Sequence, residues 1–579
     1  MLAHADKYCG HVFDLLGSGD VNLGPDIDWH ADCKTGFTWN KRTYFSDIKI
    51  PYGKADIKIP WELSRFSHAV TLGQAYRLTG DEKYAREFAS QVSDWIDSNK
   101  PEFGVNWSCT MDVAIRACNW IAAYALFHDS PTFDNAFLIK FLKSLYQHGL
   151  HIRANLEYSE ALTSNHYLAN IAGLAYLGAV FPEFREAGDW KTFAEQELVR
   201  EMEKQVYPDG CDFEASTCYH RLVLELFFFP TLVSVVNDER YTGSNHADVC
   251  RNIFGAAYTD RLRKMFTAVL HLLKPNGMMP QVGDNDSGRL HIFADRDILD
   301  MRYLLTLGAV FFKEPRFKVK EFGFSAEALW VFGNGGHDIW NRFPERPLAD
   351  IESIAFPDTG WYIMRKSNDY LMISCGSNGQ KGNGGHAHND KLAFELCLEG
   401  EAAIVDPGTG VYTPDPSVRN IFRSTASHAT VRVDGQEQNT IRPGLLFLLQ
   451  DDTRARMLAW STGTDEDVFI GEHQGYTKLG SPVVHRREIR FRKRSRTWDI
   501  ADHFSGSGTH TLEWNFVLAP GADRKIQIAS ETLCPRQETT PYSPGYGIMR
   551  TTTKLSCSLE ATLPYTCSFV IRSRKEELP

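Results

Sequence analysis

This chain has no excess of basic residues. The formal net charge is −11, from 62 Lys and Arg against 73 Asp and Glu, so the chain as a whole is poorly suited to displace the counterions of a phosphate backbone, and a nucleic-acid partner is not expected. No low-complexity segment occurs, and the 43% hydrophobic and 23% charged contents are those of an ordinary globular protein, which excludes extended disorder. The twelve cysteines include no CxxC pair and lack the density of a small disulfide scaffold. Most are therefore expected to be reduced, buried and small-apolar in role, as in a reducing compartment. The opening MLAHADKYCGHVFDLLG lacks a basic segment followed by an unbroken apolar stretch, and no apolar run of about 18 residues follows. Neither a signal peptide nor a membrane span is expected, which fits a cytoplasmic protein and equally a periplasmic or secreted one whose leader has been removed. There is no glycine-rich phosphate loop, so no nucleotide or organic cofactor is expected.

What is present is enough chain for more than one core, 579 residues. From about 60 to 310 the apolar spacing is helical. In WELSRFSHAVTLGQAYRLTGDEKYAREFASQVSDWI, Gly80 can end one helix in a left-handed cap and Asp81 can start the next, giving a hairpin. Similar helical stretches recur near 109–128, 132–154, 166–181, 188–206, 217–237 and 257–273. Beyond about 350 the texture becomes short β-rich runs, among them GWYIMRKS, YLMISCG, KLAFELCL, ATVRVDG, TWDIADHF and TLEWNFVL, with Gly, Asn, Asp and Pro between them. VFGNGGHDIWNRFPERPLAD, roughly 331–350, has no sustained period and reads as the connection. The expected fold is multidomain α+β: an N-terminal (α/α) toroid, an incomplete barrel of helical hairpins, over 1–345, then a C-terminal antiparallel β-sheet sandwich over 346–579.

Four motifs could carry chemistry. In SNHYLANIAGLAYLG, Ser164 or Asn165 can cap a helix, placing Asn165 and His166 at a positive helix end that favours a carboxylate ligand. In GCDFEASTCYHRLVLELF, Tyr219, His220 and Arg221 sit on a first helical turn, and a tyrosine there can act as phenol acid or phenolate base. In NGMMPQVGDNDSGRL, Asp284 and Asp286 could be a hydrolase pair or could hold the loop and orient Arg289, and Asp212 and Glu214 pose the same question. In GNGGHAHNDKLAFELCLEGEAAIVDPGTG, His386 and His388 share a face of an extended backbone. His388, Asp406 and, further on, His428 of FRSTASHATV could then meet as a two-histidine, one-carboxylate set suited to zinc and usable by manganese.

The order of these motifs resembles the heparinase II/III-like polysaccharide lyases over nearly the whole chain. WELSRF, YAREF, GVNW and IRACNW are similar to that family's toroid. GGHAHND, VDPGTGVY, FRSTASHATV and HRREIRF are similar to its sheet domain. The resemblance implies that Asn165 neutralises a uronate carboxylate, that His166, Tyr219 and His386 are catalytic with it, and that His388, Asp406 and His428 hold one structural divalent metal, usually zinc. It further implies a carbon–oxygen lyase that cleaves anionic uronate polymers by β-elimination: glycosaminoglycans such as hyaluronan, chondroitin sulfate and heparan sulfate, or alginate. Arg65, Arg116, Arg221, Arg289, Arg423 and Glu214 are the candidate substrate-binding residues, because a polyanion needs local cations even on an acidic protein. Two other readings stay open: a toroid glycoside hydrolase using paired carboxylates such as Asp284 and Glu214, and a carbohydrate-binding protein without turnover.

Overall fold

The computed structural model describes residues 1–574. The periodic stretches appear as helices Thr110–Phe127, Asn135–Ala154, Asn165–Val180, Ala187–Gln205, Thr217–Val236 and Ala256–Leu272. In the first hairpin Gly80, at φ +68°, ends helix Ser67–Thr79, and the Asp81 carboxylate accepts from Lys83 N at 2.9 Å to open helix Glu82–Ser98. Helices Ser67–Thr79, Thr110–Phe127, Asn165–Val180 and Thr217–Val236 pack in succession. The last three of these bury almost every residue, so they are the inner row of the toroid. Glu82–Ser98 and Ala187–Gln205 bury only a stripe and form part of the outer row. Helix Thr217–Val236 is long and apolar enough to cross a membrane by length and composition, although Arg221 and Glu225 interrupt it. Here 89% of its most apolar window is buried inside the protein.

The segment expected to be a plain connection is in large part a helix, Ala326–Asn341, broken where Gly333 takes φ +58°. That break splits the apolar period and hides the helix from a search for regular spacing. The first strand of the sheet region begins at Ile354.

All the named strand pairs are antiparallel. A five-stranded sheet runs Ile354–Phe356, Trp361–Lys366, Asp369–Ser374, Phe394–Leu398 and Glu401–Ile404, beside sheets of six and four strands. The five-stranded sheet joins the two cores through the two-residue period of its strands. Trp361, Ile363, Tyr370 and Met372 face the helical core, while Tyr362, Met364, Leu371 and Ile373 face the core between the sheets. Polar contacts stitch the same seam. Lys274 and Glu395, both buried, pair at 3.0 Å, and the Tyr370 hydroxyl donates to Leu272 O at 2.8 Å.

Candidate active site

At one end of this seam, side chains from both parts meet. Ser216 Oγ accepts from Tyr219 N at 3.2 Å, capping helix Thr217–Val236 and holding Tyr219 on its first turn. Helix Asn165–Val180 is capped differently from the expectation. Neither the Ser164 nor the Asn165 side chain closes it. Glu214, 49 residues on, accepts from Asn165 N at 2.9 Å and from Asn165 Nδ2 at 2.9 and 3.1 Å. The carboxylate favoured by this positive helix end is thus supplied by the protein.

His166 follows on the same turn. Its Nδ1 lies 2.9 Å from Glu157 Oε1, and Glu157 is itself fixed by Met111 N at 2.8 Å and Asn170 Nδ2 at 3.1 Å. Burial works against the charged ring, but Glu157 outweighs it and pushes His166 up to about 9. The side chain is nearly half exposed, so it presents an imidazolium to solvent at neutral pH.

His386 arrives on the Gly-rich loop of the sheet region. The loop is pinned where Gln380 N donates to Phe213 O at 2.8 Å, and a Cβ at Gly379 would lie 2.3 Å from that same oxygen. The His386 ring stacks on Tyr219 at 3.6 Å with an 18° interplanar angle. Its Nδ1 is 3.0 Å from Asp284 Oδ2 and its Nε2 is 3.3 Å from Glu214 Oε2. The Tyr219 hydroxyl lies 3.4 Å from that of Tyr412. Burial, reinforced by Asp286 and Asp284, pushes the Tyr219 phenol well above its ordinary pKa, so it holds its proton in the free protein.

Asp284 is the hub. Its carboxylate takes Arg419 through both guanidinium NH groups, one at 2.7 Å, together with His386 Nδ1 and His388 Nε2 at 2.9 Å. Burial alone would raise this acid, but Arg419 and the two histidines hold it well below the usual carboxylate range. Asp286 instead pairs with Lys58 at 2.7 Å. Neither acid orients Arg289, and with Asp284 and Glu214 both fully buried and committed to neighbours, a water-activating carboxylate pair is not formed.

His388, Asp406 and His428 also converge. His388 Nδ1 is 3.2 Å from His428 Nε2, which is 3.3 Å from Asp406 Oδ2. Because His388 Nε2 faces Asp284 and His428 Nδ1 faces Ser424 O at 2.7 Å, each ring spends its proton outward and turns a lone pair inward. Two lone pairs and a carboxylate facing one another suit a cation, and tetrahedral zinc with bonds of about 2.0–2.1 Å sets such donors roughly 3.3 Å apart. A small cavity of about 20 Å³ adjoins His428 and Asp406.

The arginines expected to bind substrate are a correction. Arg116 is buried among Trp95, His148 and the carbonyls of Ser64 and Asn106. Arg221 donates to the Ile298 and Gly288 carbonyls, and Arg423 to those of Leu445, Leu446 and Leu448. Arg65 pairs with Asp112 at 2.5 Å and Glu62 at 3.1 Å, while Arg289 lies over the Tyr303 ring. All five are buried; Arg116, Arg221 and Arg423 serve helix termini and loops turned into the interior, whose carbonyls need donors. Glu214, expected on the same list, is buried beneath Asn165 and His386 and positions them instead. Sequence reasoning missed Glu157, Tyr412 and Arg419. Tyr412 stood inside the quoted VDPGTGVY, whereas Glu157 and Arg419 carried no local signal.

The family model described as "Heparinase II/III N-terminus" matches residues 4–296, and "Heparinase II/III-like, C-terminal" matches 349–559. A heparin-sulfate lyase of Pedobacter heparinus is 25% identical over 527 residues, covering 88% of this chain and 66% of that protein. One from Bacteroides stercoris is 25% identical over 550 residues, covering 89% and 70%. The chain therefore spans about two thirds of the length of these relatives. The crystal structure of the heparan sulfate lyase of Pedobacter heparinus superposes with a TM-score of 0.61 at 22% identity, covering 100% of this chain and 83% of that one, which shows a shared fold.

Proposed function

Since this chain belongs to the heparinase II/III family, we propose that it is a polysaccharide lyase that cleaves uronate-containing polymers, glycosaminoglycans first among them, by β-elimination. The observation that carries this is the meeting of Tyr219 with His386, ring on ring at 3.6 Å, beside Asn165 and His166, with no free carboxylate pair for hydrolysis among them. The relatives named as heparin-sulfate lyases support the substrate class.

The C5 proton of a uronate is weakly acidic, so its removal needs the charge growing on the carboxylate to be stabilised. His386 Nε2 and the Asn165 amide, which face Glu214 in the free protein, would turn from it to supply hydrogen-bond donors for that carboxylate, and the His166 imidazolium adds positive charge. The Tyr219 phenol, protonated in the free protein, delivers its proton to the departing C4 oxygen. Where the C5 proton and the C4 oxygen lie on one face of the sugar, Tyr219 must first give up its phenolic proton to solvent; the phenolate then takes the C5 proton and passes it to the C4 oxygen. For the C5 epimer, His166 after losing its proton is the base and Tyr219 the acid. The product carries a 4,5-unsaturated uronate at its new non-reducing end.

One divalent ion, zinc with manganese the alternative, would be held by His388, Asp406 and His428, where it fixes the loop bearing His386 and takes no part in the chemistry. Outside this group a recess of about 620 Å³ is lined by Arg153, Arg200 and Lys204 with Tyr158, Tyr167, Phe193 and Glu197; Arg200 pairs with Glu197 and Lys204 with Glu201, and polymer sulfates and carboxylates would exchange with those carboxylates. The test is ultraviolet absorbance of the conjugated uronate during incubation with hyaluronan, chondroitin sulfates, heparan sulfate, heparin and alginate. A rise on one member fixes reaction and substrate together. Chain shortening without absorbance would establish hydrolysis instead.

A further inference from the structure

A second set of donors surrounds His166 Nδ1. Cys109 Sγ is 3.7 Å from Glu157 Oε1 and 3.8 Å from His166 Nδ1, and the last two atoms are 2.9 Å apart. A tetrahedral zinc ion with a Zn–S bond of about 2.3 Å and Zn–N and Zn–O bonds of about 2.0 Å places its ligand atoms roughly 3.3–3.5 Å from one another. The observed triangle brackets that range, so shifts of a few tenths of an ångström close it. These three residues come together as one possible metal-holding group, separate from His388, Asp406 and His428.

Two further observations point to a ligand here. Asp112, one turn beyond Cys109, is buried with Oδ1 on Arg65 and Oδ2 lacking any hydrogen-bond partner, an acceptor the fold leaves unmet. The scaffold is also preset. Cys109 occupies the N-cap position of helix Thr110–Phe127, and Glu157 is fixed by Met111 N and Asn170 Nδ2, so only the half-exposed His166 ring has to adjust.

We propose that Cys109, Glu157 and His166 form a binding site for a soft divalent cation of the zinc class, with Sγ, Oε1 and Nδ1 as ligands and water in the fourth position. Thiolate, imidazole and carboxylate together select zinc over calcium or magnesium. Binding releases the thiol proton and the Nδ1 proton. The ring then keeps its remaining proton on Nε2 and cannot accept another. Resting on the reading of His166 as a proton-transfer residue, the ion is therefore a reversible inhibitor.

The sheet-region set contains no sulfur, so cobalt(II) distinguishes the two sites. Co²⁺ titrated into the metal-free full chain gives a thiolate-to-cobalt charge-transfer band that saturates with one equivalent at this site and is bleached by Zn²⁺. The band is lost in Cys109→Ser, whose circular dichroism matches wild type, and weakened in Glu157→Gln, which keeps the thiol. No band, or a band that survives in Cys109→Ser, overturns the site. Turnover is read separately: excess Zn²⁺ inhibits wild type and loses that effect in Cys109→Ser, while equal inhibition of both proteins overturns the inhibitory role. The cobalt readout needs no substrate, so it stands or falls independently of the lyase assignment.

Discussion

Replacing Asp284 by asparagine keeps the shape of the side chain and removes its charge. In the native protein the carboxylate accepts from Arg419 twice, from His386 at 3.0 Å and from His388 at 2.9 Å. An amide offers one oxygen, so about half of these donors then face an NH₂ group. Losing two charge-assisted hydrogen bonds at about 1.5–3 kcal/mol each gives a loss of about 3–6 kcal/mol. That agrees with the roughly 3–5 kcal/mol for stranding one partner of a buried ion pair, here Arg419. The same change frees the outward proton of a metal-ligating histidine, which should weaken metal binding about 10–100-fold. Urea unfolding of wild type and Asp284→Asn, followed by tryptophan fluorescence, measures the first quantity, and zinc retention on dialysis measures the second. A variant that loses less than about 1 kcal/mol and keeps its metal would refute the account of Asp284 as the hub.

Tyr219→Phe removes a hydroxyl whose one protein partner is Tyr412 at 3.4 Å, so stability should change by less than about 1 kcal/mol while turnover falls by about 10²–10⁴. Unchanged turnover in the ultraviolet assay would remove Tyr219 from the chemistry. Chelation, or His428→Ala, should lower the melting temperature and activity together. Restoring zinc at about 100 times its Kd should return about 2.7 kcal/mol to the chelated wild type and nothing to the variant. Arg116→Leu should destabilise the fold and leave KM of the surviving enzyme unchanged, because its guanidinium lies in the toroid core. The double variant Arg200→Ala, Lys204→Ala should instead raise KM for sulfated polymers more than for hyaluronan. At low pH the sandwich core is the vulnerable part. Asp502 is buried, which alone would raise its pKa, yet Arg487 and His485 hold it well below the usual range. Its contribution is therefore complete above the unfolded value near 3.9 and lost as pH falls toward the folded one. Acid unfolding of Asp502→Asn, less stable at neutrality and flatter with pH, checks the sign.

The helical part was readable because its outer helices keep a 3.6-residue apolar period, its inner ones are apolar nearly throughout, and hairpins are punctuated as at Gly80 and Asp81. Ala326–Asn341 was not, since Gly333 divides its period. The strands showed themselves by composition and by the turns between them, but nothing local says which sheet each joins. At the site, the convergence of His388, Asp406 and His428 and the grouping of Asn165, His166, Tyr219 and His386 could be named from motif order. Their electrostatics could not, because the deciding partners lie far along the chain: Glu214 from Asn165, Asp284 from His386, and Arg419 from Asp284. Burial caused the largest error. An arginine beside a polar motif looks the same in sequence whether it faces a sugar or, like Arg221 and Arg423, satisfies buried carbonyls.

The position of Asp284 also constrains how the molecule can move. The carboxylate belongs to the helical part, yet Arg419, His386 and His388, which it pairs with, belong to the sheet region, and it sits beside the stacked rings of Tyr219 and His386. A jaw-like hinge that parted the two regions there would have to break each of these contacts and leave opposite charges stranded in a dry interface. Rigid-body parting of the two regions at that point is therefore opposed by the Asp284 contacts, and any loosening there has to be local.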